Sequence, residues 1–214
     1  MSAEPPEGKV EAGAAIERLI YFSDAVFAIA MTLLVLDIPR PGTGVNVAGF
    51  LTHQTGKFVA FLISFWVIAL FWLGHHRLFR YVRAYDQGLL TLNLVLLFCI
   101  AFLPYPSAIL GDHEGEVAAS VFYASSLAIA GLASSTLTWY AVRFRTFAGP
   151  LHPTMARYFI FRSLVVTIVF LASIPVAFVD PQLAMFVWLL SFPLQWFGRR
   201  YAERRAGFAA APPT

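Results

Sequence analysis

Charge is scarce in this sequence. Of its 214 residues only 13% are Asp, Glu, Lys or Arg, against 59% hydrophobic, and the mean hydropathy is +0.71. Soluble domains carry roughly 25% charged residues, so an apolar core inside a charged shell is excluded and the chain reads as an integral membrane protein. Cysteine is nearly absent. Cys99 stands alone within an apolar run, which rules out an intramolecular disulfide and disfavours a reactive thiol. Also missing are a His/Glu zinc motif, a Gly-rich phosphate loop and a nucleophile elbow, so neither an enzyme nor a resident cofactor is expected. The acids and histidine of "GDHEGE" (Asp112, His113, Glu114, Glu116) lack helical ligand spacing, so no metal site is expected, and no nucleic-acid partner is expected either. The opening stretch, 1–15, is rich in Pro, Glu and Ala and has no basic segment followed by an apolar one. It is expected to be a disordered tail, not a secretory signal.

What the chain has in abundance is long apolar runs. A bilayer core about 30 Å thick needs about 20 residues of helix. Suitable runs lie at about 20–38, 58–78, 89–110, 117–142, 158–179 and 183–197, which predicts an all-α bundle of six transmembrane helices spanning 16–200 and a basic, Pro- and Ala-rich tail over 201–214. Pro175 and Pro193 are expected to kink or end the fifth and sixth spans, and no span is expected to be broken at mid-membrane. The fourth run, loaded with Ala, Ser and Gly, is expected to pack inside protein contacts.

Basic residues orient the bundle. Arg77, Arg80 and Arg83 follow the second run, Arg143, Arg145 and Arg157 follow the fourth, and Arg199, Arg200, Arg204 and Arg205 follow the sixth, with Lys9 and Arg18 on the same side. Arg40 and Lys57 lie opposite, with the acids of "GDHEGE". The positive-inside rule then makes both termini cytoplasmic, in a multi-pass protein of the cell membrane.

The first span, "RLIYFSDAVFAIAMTLLVLDI", begins with a polar phrase and carries a carboxylate, Asp24. At about 100° per residue, Phe22, Ile29, Leu33 and Leu36 share one stripe, Thr32 borders it, and Ser23 and Asp24 lie on the opposite side. The polar phrase and the aliphatic stripe therefore meet different neighbours. Two readings of Asp24 stand side by side: a structural carboxylate stabilised near a helix N-terminus, or a functional intramembrane charge. Potential partners sit at the end of the second run in "FWLGHHRLF", namely Trp72, His75, His76 and Arg77.

Arg18-x-x-x-Phe22-Ser23-Asp24, at the head of the first of six spans, resembles the R-x-x-x-F-S-D signature of the endosomal and lysosomal potassium channels known as transmembrane protein 175 and their bacterial relatives. "FWLGHHRLF" and "LNLVLLFCIAFLPYPSAIL" resemble the second and third helices of that family. The resemblance implies a potassium-selective channel whose partners are three further copies of itself, the lipid bilayer and the permeant potassium ion. In such a homotetramer the first helix lines the pore, with the narrowing at Ile29, further hydrophobic layers at Leu33 and Leu36, and Thr32 beside them. Arg18, Phe22, Ser23 and Asp24 would then knit the first helix to Trp72, His75 and His76.

The Thr-Val-Gly-Tyr-Gly carbonyl filter is absent, and "PGTGVN" reads as a turn. An aliphatic ring would act instead as a steric and dewetting barrier that favours the more weakly hydrated potassium over sodium. Asp37, at the far end of the span, is either an acid at the outer mouth or an ordinary solvated helix end. The rival functional class is a proton- or cation-coupled transporter using Asp24 and His75/His76 as a relay. His75 and His76 are adjacent on a helix and point different ways, which disfavours chelation by the pair.

Overall fold

The computed structural model describes residues 7–83, 86–144, 153–189, 193, 194 and 200. The described secondary structure is helical: α1 (Glu7–Leu33) with a 3-10 turn at Leu34–Asp37, α2 (Val47–His53), α3 (Thr55–Phe79), α4 (Gln87–Phe102), α5 (Pro104–Asp112), α6 (Val117–Arg143), α7 (Pro153–Val179) and α8 (Pro181–Leu189). Among the described residues five stretches are long and apolar enough to cross a membrane: Ile16–Asp37, Thr55–Phe79, Gln87–Asp112, Val117–Arg143 and Ala156–Val179. The expected sixth span is represented by the nine residues of α8, and 190–197, Pro193 and Leu194 apart, lie outside the described residues. So does the tail at 201–214.

Helix α1 begins at Glu7, inside the stretch 1–15 expected to be a disordered tail, where Ala, Glu and Lys are strong helix formers. One expectation is corrected. The third run is broken, contrary to expectation, between α4 and α5 at Leu103. Pro104 has no N–H and its ring crowds the carbonyl four residues back, so the chain tightens: the Leu103 N–H turns to the Ile100 carbonyl at 3.2 Å, and the Ser107 N–H resumes bonding to the Leu103 carbonyl at 3.2 Å. Behind the break, Ser64 Oγ lies 2.7 Å from Ser107 Oγ and 2.9 Å from Tyr123 Oη, so α3, α5 and α6 share a buried hydroxyl cluster. By contrast α7 runs through Pro175 without ending.

Helix α6 is the central post. It packs along α7 and also touches α3, α4, α5 and α8, and its small residues Ala119, Ser120, Ala124, Ala128, Ala130 and Gly131 are buried as expected. At Gly131 a Cβ would come within 2.6 Å of Thr167 Oγ1 and 3.1 Å of its Cα, so the α6–α7 approach depends on glycine. On the far side of the bundle Trp188 of α8 donates from Nε1 to Ser173 Oγ of α7 at 2.7 Å.

Helix α1 lies at the opposite edge, against α3 and α4. Its buried face repeats at helical spacing, Ile16, Leu19, Ser23, Phe27, Ala30 and Leu34. After it, the predicted turn is made by Gly44 at φ +84°, and Asn46 caps α2 by accepting from the Ala48 and Gly49 amides. The helix order brings Arg77 of α3 to Tyr158 of α7 at one end of the bundle, and Lys57 of α3 to the end of α1 at the other.

Candidate functional site

The two faces of α1 have opposite environments. Phe27, Ala30 and Leu34 are at most 2% exposed, whereas Phe22, Ile29, Leu33 and Leu36 are 41–69% exposed, and Thr32 is exposed beside them. A helix of a single water-soluble domain would not leave this stripe uncovered. In a membrane chain it faces lipid or a symmetry-related copy of itself.

The buried face carries a polar chain across three helices. Ser23 Oγ donates to the Leu19 carbonyl at 2.8 Å, which leaves its lone pair for the Asn93 Nδ2 amide of α4 at 3.0 Å. Asn93 therefore turns its Oδ1 toward His75 Nε2 of α3, 2.8 Å away. Because a carboxamide oxygen only accepts, Nε2 carries the imidazole proton and donates, and the neutral ring keeps a bare Nδ1. That Nδ1 is buried and finds no hydrogen-bond partner among the described residues. Phe79 stacks on the imidazole at 4.2 Å between centroids, and Phe27 of α1 approaches at 5.5 Å. The ring is fixed by aromatic packing on α1 and α3 and by one hydrogen bond to α4.

Asp24 is held separately. Trp72 Nε1 donates to Asp24 Oδ1 at 2.8 Å, and the His76 ring lies 5.4 Å from the Trp72 ring. Among the described residues Arg18 and Phe22 join neither branch; both are exposed. The structure thus brings together Ser23, His75, Asp24 and Trp72, and sets His76 beside Trp72. Adjacent positions on α3 separate the histidines, His75 buried and His76 only half-buried.

Three residues had no site role in the sequence reading. Asn93 is the hub of the buried chain; its signal was one amide inside the apolar run "LLTLNLVLL". Asp86 caps α4 by accepting from the Leu89 amide at 2.8 Å and takes a 2.7 Å bond from the Tyr140 hydroxyl of α6. Those donors hold its carboxyl below the usual carboxylate range, the backbone amide first. Lys57 forms an ion pair with Asp112 and donates toward the Asp37 carbonyl at 3.5 Å, so Asp37 ends α1 beside a cation. Among the described residues no group of three or more His, Cys, Asp or Glu side chains is placed to hold a metal ion.

Comparison with known proteins bears on which surface the α1 stripe meets. The family described as endosomal/lysosomal potassium channel TMEM175 matches residues 18–104, which run from the start of the signature on α1 to the break after α4. A crystal structure of a lysosomal potassium-selective channel TMEM175 homolog from Chamaesiphon minutus superposes with a TM-score of 0.75 at 26% identity, over 88% of this chain and 98% of that one. Over 18–104 the chain is similar to the TMEM175 family, and its fold is similar to that of the solved homolog. A protein named as a potassium channel from Streptomyces collinus is 40% identical over 135 residues, 59% of this chain and 64% of its own. The Gallus gallus protein named endosomal/lysosomal proton channel TMEM175 is 26% identical over 147 residues, 64% of this chain and 29% of its own. The chain thus spans less than two thirds of the length of these two curated relatives. The family is one of ion channels and not of enzymes, and its membrane character agrees with the five apolar helices.

Proposed function

We propose that this chain is a TMEM175-type subunit of a potassium channel of the cell membrane, with α1 lining the pore and Ile29 forming its narrowest ring. The observation that carries this reading is the division of α1: one face is committed to α3 and α4 through Ser23, Asp24 and Phe27, and the other presents Ile29, Leu33 and Leu36 uncovered. Four copies around a cyclic axis would cover that stripe with itself. The pore then has apolar layers with the Thr32 hydroxyl beside them, although that hydroxyl is already engaged with the Ile29 carbonyl at 2.9 Å. An ion crossing an aliphatic ring sheds part of its hydration, which favours potassium over sodium. In this reading 16–200 form the channel domain with six spans, both termini are cytoplasmic by the positive-inside rule, and Asp37 stands at the outer mouth. Arg18 and Phe22, exposed in one subunit, face neighbouring copies.

The coupled-transporter reading needs a continuous proton path through Asp24 and the histidines. The Asp24–Trp72 branch and the Ser23–Asn93–His75 branch share no hydrogen bond among the described residues, and the hydroxyls at the α4–α5 break are satisfied by one another. Nothing there favours it.

The test is potassium flux in liposomes holding the purified protein, with potassium and sodium on opposite sides and no proton gradient. Passive potassium flux is expected, and Ile29→Ser should raise it or lower the potassium-to-sodium ratio about tenfold, the equivalent of about 1.4 kcal/mol of barrier. Flux that requires a proton gradient, or an Ile29→Ser protein with wild-type rate and selectivity, refutes the proposal.

A further inference from the structure

We infer that Lys57 sets the electrostatic field at the mouth beside Asp37, holding down the attraction for cations that the acids there would otherwise exert. The inference rests on the channel reading above and concerns a residue to which that reading gives no role.

Lys57 sits in the first turn of α3, where the positive end of the helix dipole opposes a cation. Its placement is therefore not explained by the stability of its own helix. Its neighbours explain it. The ammonium pairs with Asp112 at the end of α5 and lies 3.5 Å from the Asp37 carbonyl at the end of α1. Glu114 lies close by: a Cβ added at Gly56 would come within 3.2 Å of its Cδ. Among the described residues at this end of the bundle, the four acids Asp37, Asp112, Glu114 and Glu116 outnumber the two cations Lys57 and Arg40, so the mouth is net acidic, and Lys57 is a cation placed against the end of the pore helix. The Lys57 side chain is 25% exposed and that of Asp112 47%, so their charges act on the adjoining solution and salt screens them. Every subunit around the pore repeats the arrangement, which multiplies the effect of one substitution at the rim.

The same contacts could act only as a mechanical strap from α3 to α1 and α5. The two roles differ in sign. K57Q and D112N both break the strap, so a strap alone shifts conductance the same way in each. The field shifts them oppositely, because K57Q uncovers an acid while D112N uncovers a cation. The experiment is single-channel potassium conductance of the reconstituted full chain at about 0.01 M and about 1 M KCl, where the Debye length is about 30 Å and about 3 Å. We expect K57Q to raise conductance about two-fold at the lower salt and D112N to lower it by a similar factor, both converging on the wild type at the higher salt. K57R, which keeps the charge, should group with the wild type. Changes of the same sign in K57Q and D112N, or a difference that persists at 1 M, overturn the inference while leaving the channel reading standing. A wild type without potassium current defeats that reading, and the inference with it.

Discussion

Replacing Asn93 by Leu removes the hub of the buried chain while nearly keeping its volume, and the structure sets the size of the result. Asn93 is fully buried and His75 is 3% exposed. The substitution takes away the acceptor for His75 Nε2–H and the donor to Ser23 Oγ. An orphaned buried donor costs about 1–3 kcal/mol in soluble proteins, whereas hydrogen bonds between membrane helices average about 0.6 and reach about 1.7 kcal/mol. Two lost bonds therefore predict destabilisation of about 1–3 kcal/mol for Asn93→Leu. His75→Phe keeps a ring between Phe27 and Phe79 but orphans the Asn93 carbonyl, so it should cost about 1 kcal/mol. With both substitutions neither partner is left unpaired, and the double variant should be less destabilised than the sum by about 1 kcal/mol. Reversible unfolding in mixed micelles, followed by circular dichroism across a denaturing-detergent titration, measures all four proteins. Additivity within about 0.5 kcal/mol would mean that His75 and Asn93 do not depend on each other, and the reasoning from the chain fails.

The other expectations are simpler. Asp24→Ala leaves the Trp72 indole without its acceptor and should reduce the assembled fraction on size-exclusion chromatography, whereas Asp24→Asn, which keeps an oxygen there, should largely restore it; an Asp24→Ala protein that assembles normally but changes ion selectivity contradicts this. Because Asp86 has a lowered folded pKa, the stability it contributes is present above the ordinary carboxylate range and is lost as pH falls through that lowered value. Asp86→Ala should therefore lower the melting temperature at pH 7 and lower it progressively less as the pH drops below 4, and a gap independent of pH counts against the cap. Gly131→Ala drives a Cβ against Thr167, including its backbone, and should destabilise by about 1–3 kcal/mol in the same micelle titration; a neutral result would mean that α6 and α7 can separate freely.

Much of α1 was legible in advance because a helix has a fixed angular period. Spacing alone placed Ser23 away from Ile29, Leu33 and Leu36, and the structure buries the first and exposes the other three. The small residues of α6 likewise announced a buried helix. The break at Leu103 was missed because the run on both sides of Pro104 is apolar, and hydropathy averages over a window what proline decides at one peptide group. Asn93 was missed for a different reason: its partners lie 70 and 18 residues away in the chain, and an isolated amide does not say which helix it faces.

The sequence by itself determined that this is a helical membrane protein, that its first helix has a polar and an aliphatic side, and which family it resembles. Those properties follow from composition, periodicity and a local motif, and each is set by residues within one helix. Only the tertiary structure decided that Asp24 accepts from Trp72, that Ser23 reaches His75 through Asn93, and that Lys57 stands over the end of α1. Hydrogen bonds and ion pairs act over about 3–4 Å, so they depend on how separate helices are rotated and staggered, which no single helix specifies.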